Sequence, residues 1–176
     1  MTELRTPHLL HVLPAPRMVN LIASFGSEFR HSIISMDGRT GAGSLTTVRR
    51  MRRLLQREAP DLVLTYNWRA FDMLLAARSL RFRRVVHHED RFNPEAETFK
   101  RILARRAVLP AVHWLIVPSD CLFEIASRLW KVPAGQIALI RNDNFESMRD
   151  AYREVYHSAL CAGSVPALTE AFDALC

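Results

Sequence analysis

Apolar and polar positions alternate in two distinct ways along the first part of the chain. Short, almost continuous apolar runs are typical of strands that a parallel sheet buries on both faces. Between them lie longer segments whose apolar residues recur every three or four positions, as in helices with one buried side. The predicted strands are residues 8–13, 31–36, 61–66, 84–88, 112–117 and 136–141. The predicted helices are residues 17–25, 44–58 with Ser44 or Thr46 as the cap, 70–80, 94–109 and 119–130. This alternation predicts an α/β fold, a single Rossmann-like, doubly wound parallel sheet of about six strands flanked by helices.

The pattern changes after Asn142. Residues 145–160 form one amphipathic helix, and a break at residues 163–166 leads to a short final helix at residues 168–175. The apolar side of the long helix carries Phe145, Met148, Tyr152, Val155, Tyr156 and Ala159. We therefore expect a Rossmann-like domain at residues 1–142 and a carboxyl-terminal helical segment at residues 143–176 that packs on it.

Charge adds a candidate surface. The 176 residues carry 24 Lys and Arg and a formal net charge of +6, and arginine-rich surfaces favour phosphate, anionic lipid headgroups or nucleic acid. One face of the helix at 44–58 presents Arg49, Arg50, Arg52, Arg53 and Arg57. This face is either an ordinary solvated face or a surface that docks on an anionic membrane. Nucleic acid is disfavoured, because no aromatic residues are interleaved with the arginines.

Cellular location is the next expectation. The three cysteines are far apart and lack metal-ligand spacing, the amino terminus does not resemble a signal peptide, and no apolar run is long enough to cross a bilayer. We expect a cytoplasmic protein, with a peripheral position on the inner membrane face if the arginine face docks there.

The strand at 84–88 ends in four titratable side chains, His87, His88, Glu89 and Asp90. The carboxyl ends of parallel strands line the crevice where open α/β sheets bind ligands. A His beside carboxylates can position and deprotonate a hydroxyl, so His88, Glu89 and Asp90 are the candidate catalytic residues. Strand alternation places His87 and His88 on opposite faces, so one of them is structural. No metal is expected here, because adjacent histidines do not have the usual ligand spacing. The alternative is a solvated turn in which these residues only cap the strand.

A second group of candidates also follows strand ends. Tyr66, Asn67 and Trp68 come after the strand at 61–66, and Ser119 follows the strand at 112–117. Trp68 is a candidate platform for a sugar ring, with Asn67 as a hydrogen-bond partner for a hydroxyl; the alternative is a ring that caps the core. Ser119 lacks the Gly-x-Ser-x-Gly context of a nucleophile. These four residues are the predicted acceptor-binding residues.

The order of motifs resembles a known enzyme family. His-Val-Leu-Pro, Pro-Asp-Leu-Val-Leu-Thr-Tyr-Asn-Trp, His-His-Glu-Asp, Leu-Ile-Val-Pro-Ser and Ile-Ala-Leu-Ile-Arg-Asn follow one another over residues 8–142. Together they resemble the amino-terminal, acceptor-side domain of GT-B glycosyltransferases of family 4, retaining enzymes that use a nucleotide diphosphate sugar as donor. The resemblance implies that His88, Glu89 and Asp90 face the reacting sugar, that the acceptor is a hydroxyl-bearing sugar or lipid-linked molecule, and that no metal or resident cofactor is needed.

The chain departs from this family on the donor side. The family has a second, donor-binding domain after the position of Asn142, whereas here a helix resembling the family's carboxyl-terminal helix follows directly. Pro14-Ala15-Pro16 also replaces the family's Gly-rich turn after the first strand. Glu146 with Glu154 and Glu89 with Glu97 have the family's Glu-x7-Glu spacing, but neither pair lies in a suitable element. We therefore expect an acceptor domain without independent sugar transfer.

Two alternatives to this function remain. The chain is also interpretable as a non-catalytic binding or scaffold module that docks through its arginine face on an anionic membrane or on a partner chain. A homo-oligomer formed through the face that a donor domain would cover is another expectation, because exposed apolar surface tends to be buried.

Overall fold

The structure, a computed structural model, describes residues 5–12, 16–35, 44–94 and 98–162. The predicted turn at Pro14 and Ala15 and the predicted final helix at 168–175 lie outside these residues. Within them, no helix combines the length and the apolar character needed to span a bilayer.

The described residues form one six-stranded sheet in which every pairing is parallel. The strands are β1 (His8–Val12), β2 (Arg30–Ile34), β3 (Leu62–Tyr66), β4 (Val85–His88), β5 (Trp114–Val117) and β6 (Ile137–Leu139). Their order across the sheet is β2-β1-β3-β4-β5-β6. The predicted fold class is confirmed. Because the chain winds outward in both directions from β1 and β3, the crevice of this fold lies beside the carboxyl ends of these two strands.

Helices connect the strands and cover both faces of the sheet. They are α1 (Pro16–Ser24), α2 (Leu45–Glu58), α3 (Phe71–Ser79), α4 (Phe99–Val108), α5 (Asp120–Glu124) and α6 (Phe145–Cys161). Short 3-10 turns precede α3, β5 and β6, and one π-helical turn, Ile125–Leu129, extends α5. β5 and β6 are shorter than the predicted strands at 112–117 and 136–141, and the turn before β6 occupies Gln136, the first residue of the second predicted strand.

Two caps account for helix starts that the pattern placed approximately. Helix α4 begins later than Pro94, because the Thr98 side chain accepts a hydrogen bond from the Arg101 amide and so caps the helix there. Ser119 caps α5 as predicted, with its hydroxyl oxygen 3.3 Å from the amide nitrogen of Leu122.

Strand alternation divides the core into two layers, one on each face of the sheet. Leu10, Val63 and Val85 pack with α2, α3 and α5 on one face, whereas Leu9, Leu64 and Val86 pack with α1 and α6 on the other. Helix α6 closes this second face with four buried side chains, Tyr152, Val155, Tyr156 and Ala159. The predicted apolar side of α6 is therefore buried along its middle, whereas Phe145 at its start is 47% exposed.

Candidate functional site

Asn67 and Asp90 form a pair that joins the carboxyl ends of β3 and β4. The Asn67 side-chain nitrogen donates to an Asp90 carboxylate oxygen at 3.0 Å, and the Asp90 amide donates back to the Asn67 side-chain oxygen at 2.9 Å. The backbone N–H of Asn67 also donates to the carbonyl of His88 at 2.7 Å. These bonds fix a carboxylate and a carboxamide at the sheet edge where α/β folds bind ligands.

The backbone of Asn67 is held in an unusual conformation. Its φ of 57° and ψ of −179° lie in a region that is almost exclusive to glycine. Residues with side chains persist there only when the surrounding structure compensates the strain, and such residues cluster at functional sites. The reciprocal bonds with Asp90 are the compensation here, which makes Asn67 the strongest indication of function at this edge.

His88 lies beneath the surface. The side chain is 2% exposed and its ring is stacked between Tyr66, with centroids 4.3 Å apart, and Tyr152 of α6, with centroids 5.3 Å apart. The predicted separation of the two histidines is confirmed, because His87 lies on the opposite face, where its Nδ1 is 2.8 Å from the Thr65 hydroxyl. Helix α6 covers His88 in this structure, and a role for His88 beside a reacting sugar stays a prediction.

Glu89 is also buried, in an ion pair. Its Oε1 accepts hydrogen bonds from the Nε and an Nη nitrogen of Arg105, at 3.0 and 2.9 Å, and lies 3.4 Å from Nε2 of His87. Burial would raise the pKa of Glu89, but the hydrogen bonds and charges of His87 and Arg105 outweigh it and lower the pKa. Glu89 is therefore a carboxylate that joins the end of β4 to α4, and a catalytic role for Glu89 stays a prediction.

Tyr66 belongs to a buried network on the face of α1 and α6. Its hydroxyl lies 2.9 Å from Nδ1 of His11, whose Nε2 lies 2.9 Å from Nδ1 of His31. Burial, followed by the nearby ring of His31, lowers the pKa of His11 to about 3, so this ring is neutral at ordinary pH. Burial likewise raises the pKa of Tyr66 well above its ordinary value. Tyr66 is 1% exposed, and a role for Tyr66 in acceptor binding stays a prediction.

Trp68 is half-buried at the carboxyl edge of the sheet, on the side of α3 and α4. Its ring is stacked on Phe71 at 4.4 Å, and the guanidinium carbons of Arg101 and Arg105 lie 5.1 and 4.9 Å from the ring centroid. A cavity of about 270 Å³ lies beside it between α3 and α4, bounded in part by Lys100 and Arg101. This arrangement agrees with a ring that caps the core, and a role for Trp68 in sugar stacking stays a prediction.

Ser119 and a second polar pair mark the ends of β5 and β6. Ser119 is exposed and its hydroxyl oxygen is used to cap α5. Next to it, Arg141 donates from one Nη nitrogen to both carboxylate oxygens of Asp120, at 2.9 and 2.7 Å. A role for Ser119 in acceptor binding is untested by these contacts.

Sequence reasoning missed a second cavity at the carboxyl edge. It has a volume of about 330 Å³ and lies where the starts of α1 and α6 meet. Its lining combines apolar and carboxamide side chains, namely Met18, Asn20, Asn142, Phe145 and Met148. The exposure of Phe145 follows from its position at this cavity. The available signal was Asn142, a polar residue just after the last strand.

The arginine face of α2 is exposed as predicted. Met51 and Leu55 are buried on the opposite side of the helix, and among the described residues only Arg57 of this face forms an ion pair, with Glu58. The described residues contain no cluster of three or more His, Cys, Asp or Glu that could hold a metal ion. Cys121 and Cys161 are exposed and unpaired with each other.

A family model for the glycosyl transferase 4-like domain matches residues 7–143, which include all six strands and the Asn67–Asp90 pair. The chain belongs to this family. The glycosyl transferase 4-like domain here has the GT-B type of Rossmann-like fold that the motif order indicated.

Two solved structures share the fold of this glycosyl transferase 4-like domain. UDP-GlcNAc 2-epimerase from Methanocaldococcus jannaschii is 13% identical, with a TM-score of 0.55 over 77% of this chain and 45% of that chain. UDP-N-acetylglucosamine 2-epimerase from Rickettsia bellii is 14% identical, with a TM-score of 0.56 over 87% of this chain and 48% of that chain. The chain thus spans less than half the length of either structure. No curated protein shows significant sequence similarity to it.

Proposed function

We propose that this chain is the acceptor-side domain of a retaining glycosyltransferase that uses a nucleotide diphosphate sugar, and that a hydroxyl-bearing acceptor, a sugar or a lipid-linked molecule, binds at the carboxyl edge. The single observation that carries the proposal is the strained Asn67 held by Asp90 at the ends of β3 and β4. Membership of the glycosyl transferase 4-like domain family supports the same class of chemistry.

In this proposal one residue, Asp90, contacts the acceptor, and the other residues hold Asp90 in position. Asp90 is half-buried at the edge, and its carboxylate is suited to accept a hydrogen bond from an acceptor hydroxyl. Asn67 orients that carboxylate through the reciprocal hydrogen bonds. His88, stacked between two tyrosines, and Glu89, paired with Arg105, keep the end of β4 in place. Sugar transfer by this chain alone is not expected.

Binding measurements on the full chain test the proposal. The probes are a panel of hexoses, a short polyprenyl phosphate, and nucleotide diphosphates with their sugars, followed by isothermal titration and by NMR shifts of the Asn67 and Asp90 amides. We expect saturable binding of one acceptor class, weakened at least tenfold in Asp90→Asn and unchanged in Asp120→Asn, a carboxylate at the same edge. Micromolar binding of nucleotide sugars with turnover would overturn the acceptor-only role, and binding that Asp90→Asn leaves intact would overturn the site.

A second function is favoured by the face of α2. Arg49, Arg50, Arg52 and Arg53 are exposed, and Leu45 at the start of the helix is 74% exposed. An apolar side chain beside a row of arginines suits an anionic membrane surface, with each arginine contributing about 1 kcal/mol near such a surface. A peripheral, cytoplasmic membrane location follows from this proposal. Sedimentation with vesicles that differ only in anionic lipid tests it, since equal binding to both would remove it.

A further inference from the structure

A large basic cavity lies at the amino edge of the sheet, opposite the Asn67–Asp90 pair. It has a volume of about 580 Å³, within the usual range for small-molecule sites. Its walls come from the chain just before three strands: residues 81–83 before β4, residues 110–113 before β5, and Gln136 before β6. We call this cavity, with Arg78 at the end of α3, the amino-edge pocket.

The charged side chains of this pocket are all of one sign. Arg78, Arg81 and Arg83 line it, and none of the described lining residues is acidic. No ion pair joins these three arginines to another part of the described chain. Three uncompensated guanidinium groups around one cavity attract an anion, and their planar donor groups match phosphate oxygens in geometry.

The backbone conformation at Arg81 is energetically unfavourable for a residue with a side chain. The amides of Arg81 and Phe82 donate to the carbonyls of Arg78 and Ala77, the two bonds of the motif that ends many helices with a left-handed residue. That residue is usually glycine, but here it is Arg81, with a φ of 54°. Arg78 is fixed as well, because its Nη1 donates to the carbonyl of Ala107. The guanidinium groups are therefore presented from an anchored turn rather than from a free loop.

Two uncharged side chains, His113 and Gln136, also line the amino-edge pocket. His113 is half-buried, and its backbone amide donates to the carbonyl of Val85, which fixes its position. The side-chain oxygen of Gln136 has no hydrogen-bond partner among the described residues. The imidazole N–H and the carboxamide NH₂ can donate hydrogen bonds to an oxygen-rich ligand, and the carboxamide oxygen can accept one from a hydroxyl of an ester.

We propose that the amino-edge pocket binds a diphosphate group, free or as part of an ester, through Arg78, Arg81 and Arg83. Three guanidinium groups balance the charge of about −3 of a diphosphate, and the cavity leaves room for the remainder of an ester. This site is separate from the carboxyl edge, and the proposed acceptor function does not depend on it.

Isothermal titration of the full chain with inorganic diphosphate tests the pocket. The matched variants are Arg81→Gly with Arg83→Gln and, as control, Arg52→Gln with Arg53→Gln on α2, which removes the same charge elsewhere. Glycine suits the left-handed φ at position 81, so the first variant is expected to stay folded, and its melting temperature checks this. We expect saturable binding that weakens roughly tenfold or more in the pocket variant and less than about twofold in the control, as for loss of charge-assisted hydrogen bonds.

Vesicles distinguish the source of the phosphate. Sedimentation with phosphatidylcholine vesicles, with and without a polyprenyl diphosphate, is run on the same variants. Diphosphate binding without vesicle binding indicates a soluble ligand, and vesicle binding that needs Arg81 and Arg83 indicates a lipid headgroup; both support the pocket. Three outcomes would overturn the proposal. They are no binding to diphosphate or to vesicles, vesicle binding that depends only on α2 without diphosphate binding, and equal weakening in the pocket and control variants.

Discussion

Replacing Arg105 by methionine isolates the contribution of the buried ion pair with Glu89. The pair is almost fully enclosed, with side-chain exposures of 6% for Arg105 and 1% for Glu89. Removing one partner of a buried pair leaves the other charge uncompensated, at a cost of about 3–5 kcal/mol of unfolding free energy. Arg105 also lies over the rings of Trp68 and Trp130, at 4.9 and 4.7 Å, and loss of these cation–π contacts adds roughly 1–2 kcal/mol. We therefore expect a total loss of about 4–6 kcal/mol at pH 7, because these contributions overlap.

The pH dependence of this loss has a definite sign. In the parent chain the pKa of Glu89 lies below its ordinary value of 4.5, so the stabilisation is complete above about pH 4.5 and is lost as the pH falls through the native pKa. In Arg105→Met, burial of the carboxylate is no longer offset by the arginine. A proton on Glu89 then relieves the uncompensated charge. The difference in stability between parent and variant should therefore shrink between pH 8 and pH 5.

Urea unfolding followed by tryptophan fluorescence measures the loss of unfolding free energy and its pH dependence, since Trp130 is fully buried beside Arg105. The control is the double variant Glu89→Gln with Arg105→Met, which removes both charges and is expected to recover about half of the loss. A loss in Arg105→Met below about 1 kcal/mol, or one that is the same at pH 5 and pH 8, would refute the buried-pair account.

Further predictions concern the carboxyl edge, the histidine network and the arginine face. Asn67→Ala should be about 1–2 kcal/mol less stable than Asn67→Gly in thermal unfolding, because only glycine relieves the φ of 57°, and equal stabilities would show that Asn67 is unstrained. His11 takes up its proton in the unfolded chain near pH 6.5 but in the native chain only near pH 3, so stability should fall with decreasing pH across this window by up to about 1.4 kcal/mol per pH unit. His11→Leu with Tyr66→Phe should flatten that slope in denaturation curves at pH 4–6, and a slope unchanged by the variant would contradict the assignment. Arg52→Gln with Arg53→Gln should weaken sedimentation with anionic vesicles roughly 30-fold, at about 1 kcal/mol per arginine, whereas neutral vesicles should show no difference.

The fold was predictable because its elements are repetitive and locally encoded. Apolar runs such as residues 61–66 and helical stripes such as that of α2 report burial on a scale of a few residues, and parallel topology follows from their alternation. Element ends were less well predicted because they depend on individual caps. Thr98, for example, starts α4 after Pro94, a residue that is itself suited to begin a helix.

The site was only partly predictable, because the burial of a polar residue depends on side chains that are far away in the sequence. Position along the strand correctly separated His87 from His88, but the ring that covers His88 comes from Tyr152 on the last described helix. Glu89 was predicted to line the crevice, but it is buried against Arg105 of α4, 16 residues further along the chain. One signal for this pair was present: Arg105 lies three residues from both Ile102 and Val108, on the apolar side of its helix, where an arginine needs a buried partner.

The connection between β6 and α6 has a consequence for how such a domain evolves. Residues 141–147 are all exposed, and the chain leaves the sheet and returns to it within this short stretch at the carboxyl edge. Exposed connections of this kind accept whole inserted domains, since neither adjoining element must move. Gain or loss of a second lobe at this point would leave both layers of the core unchanged.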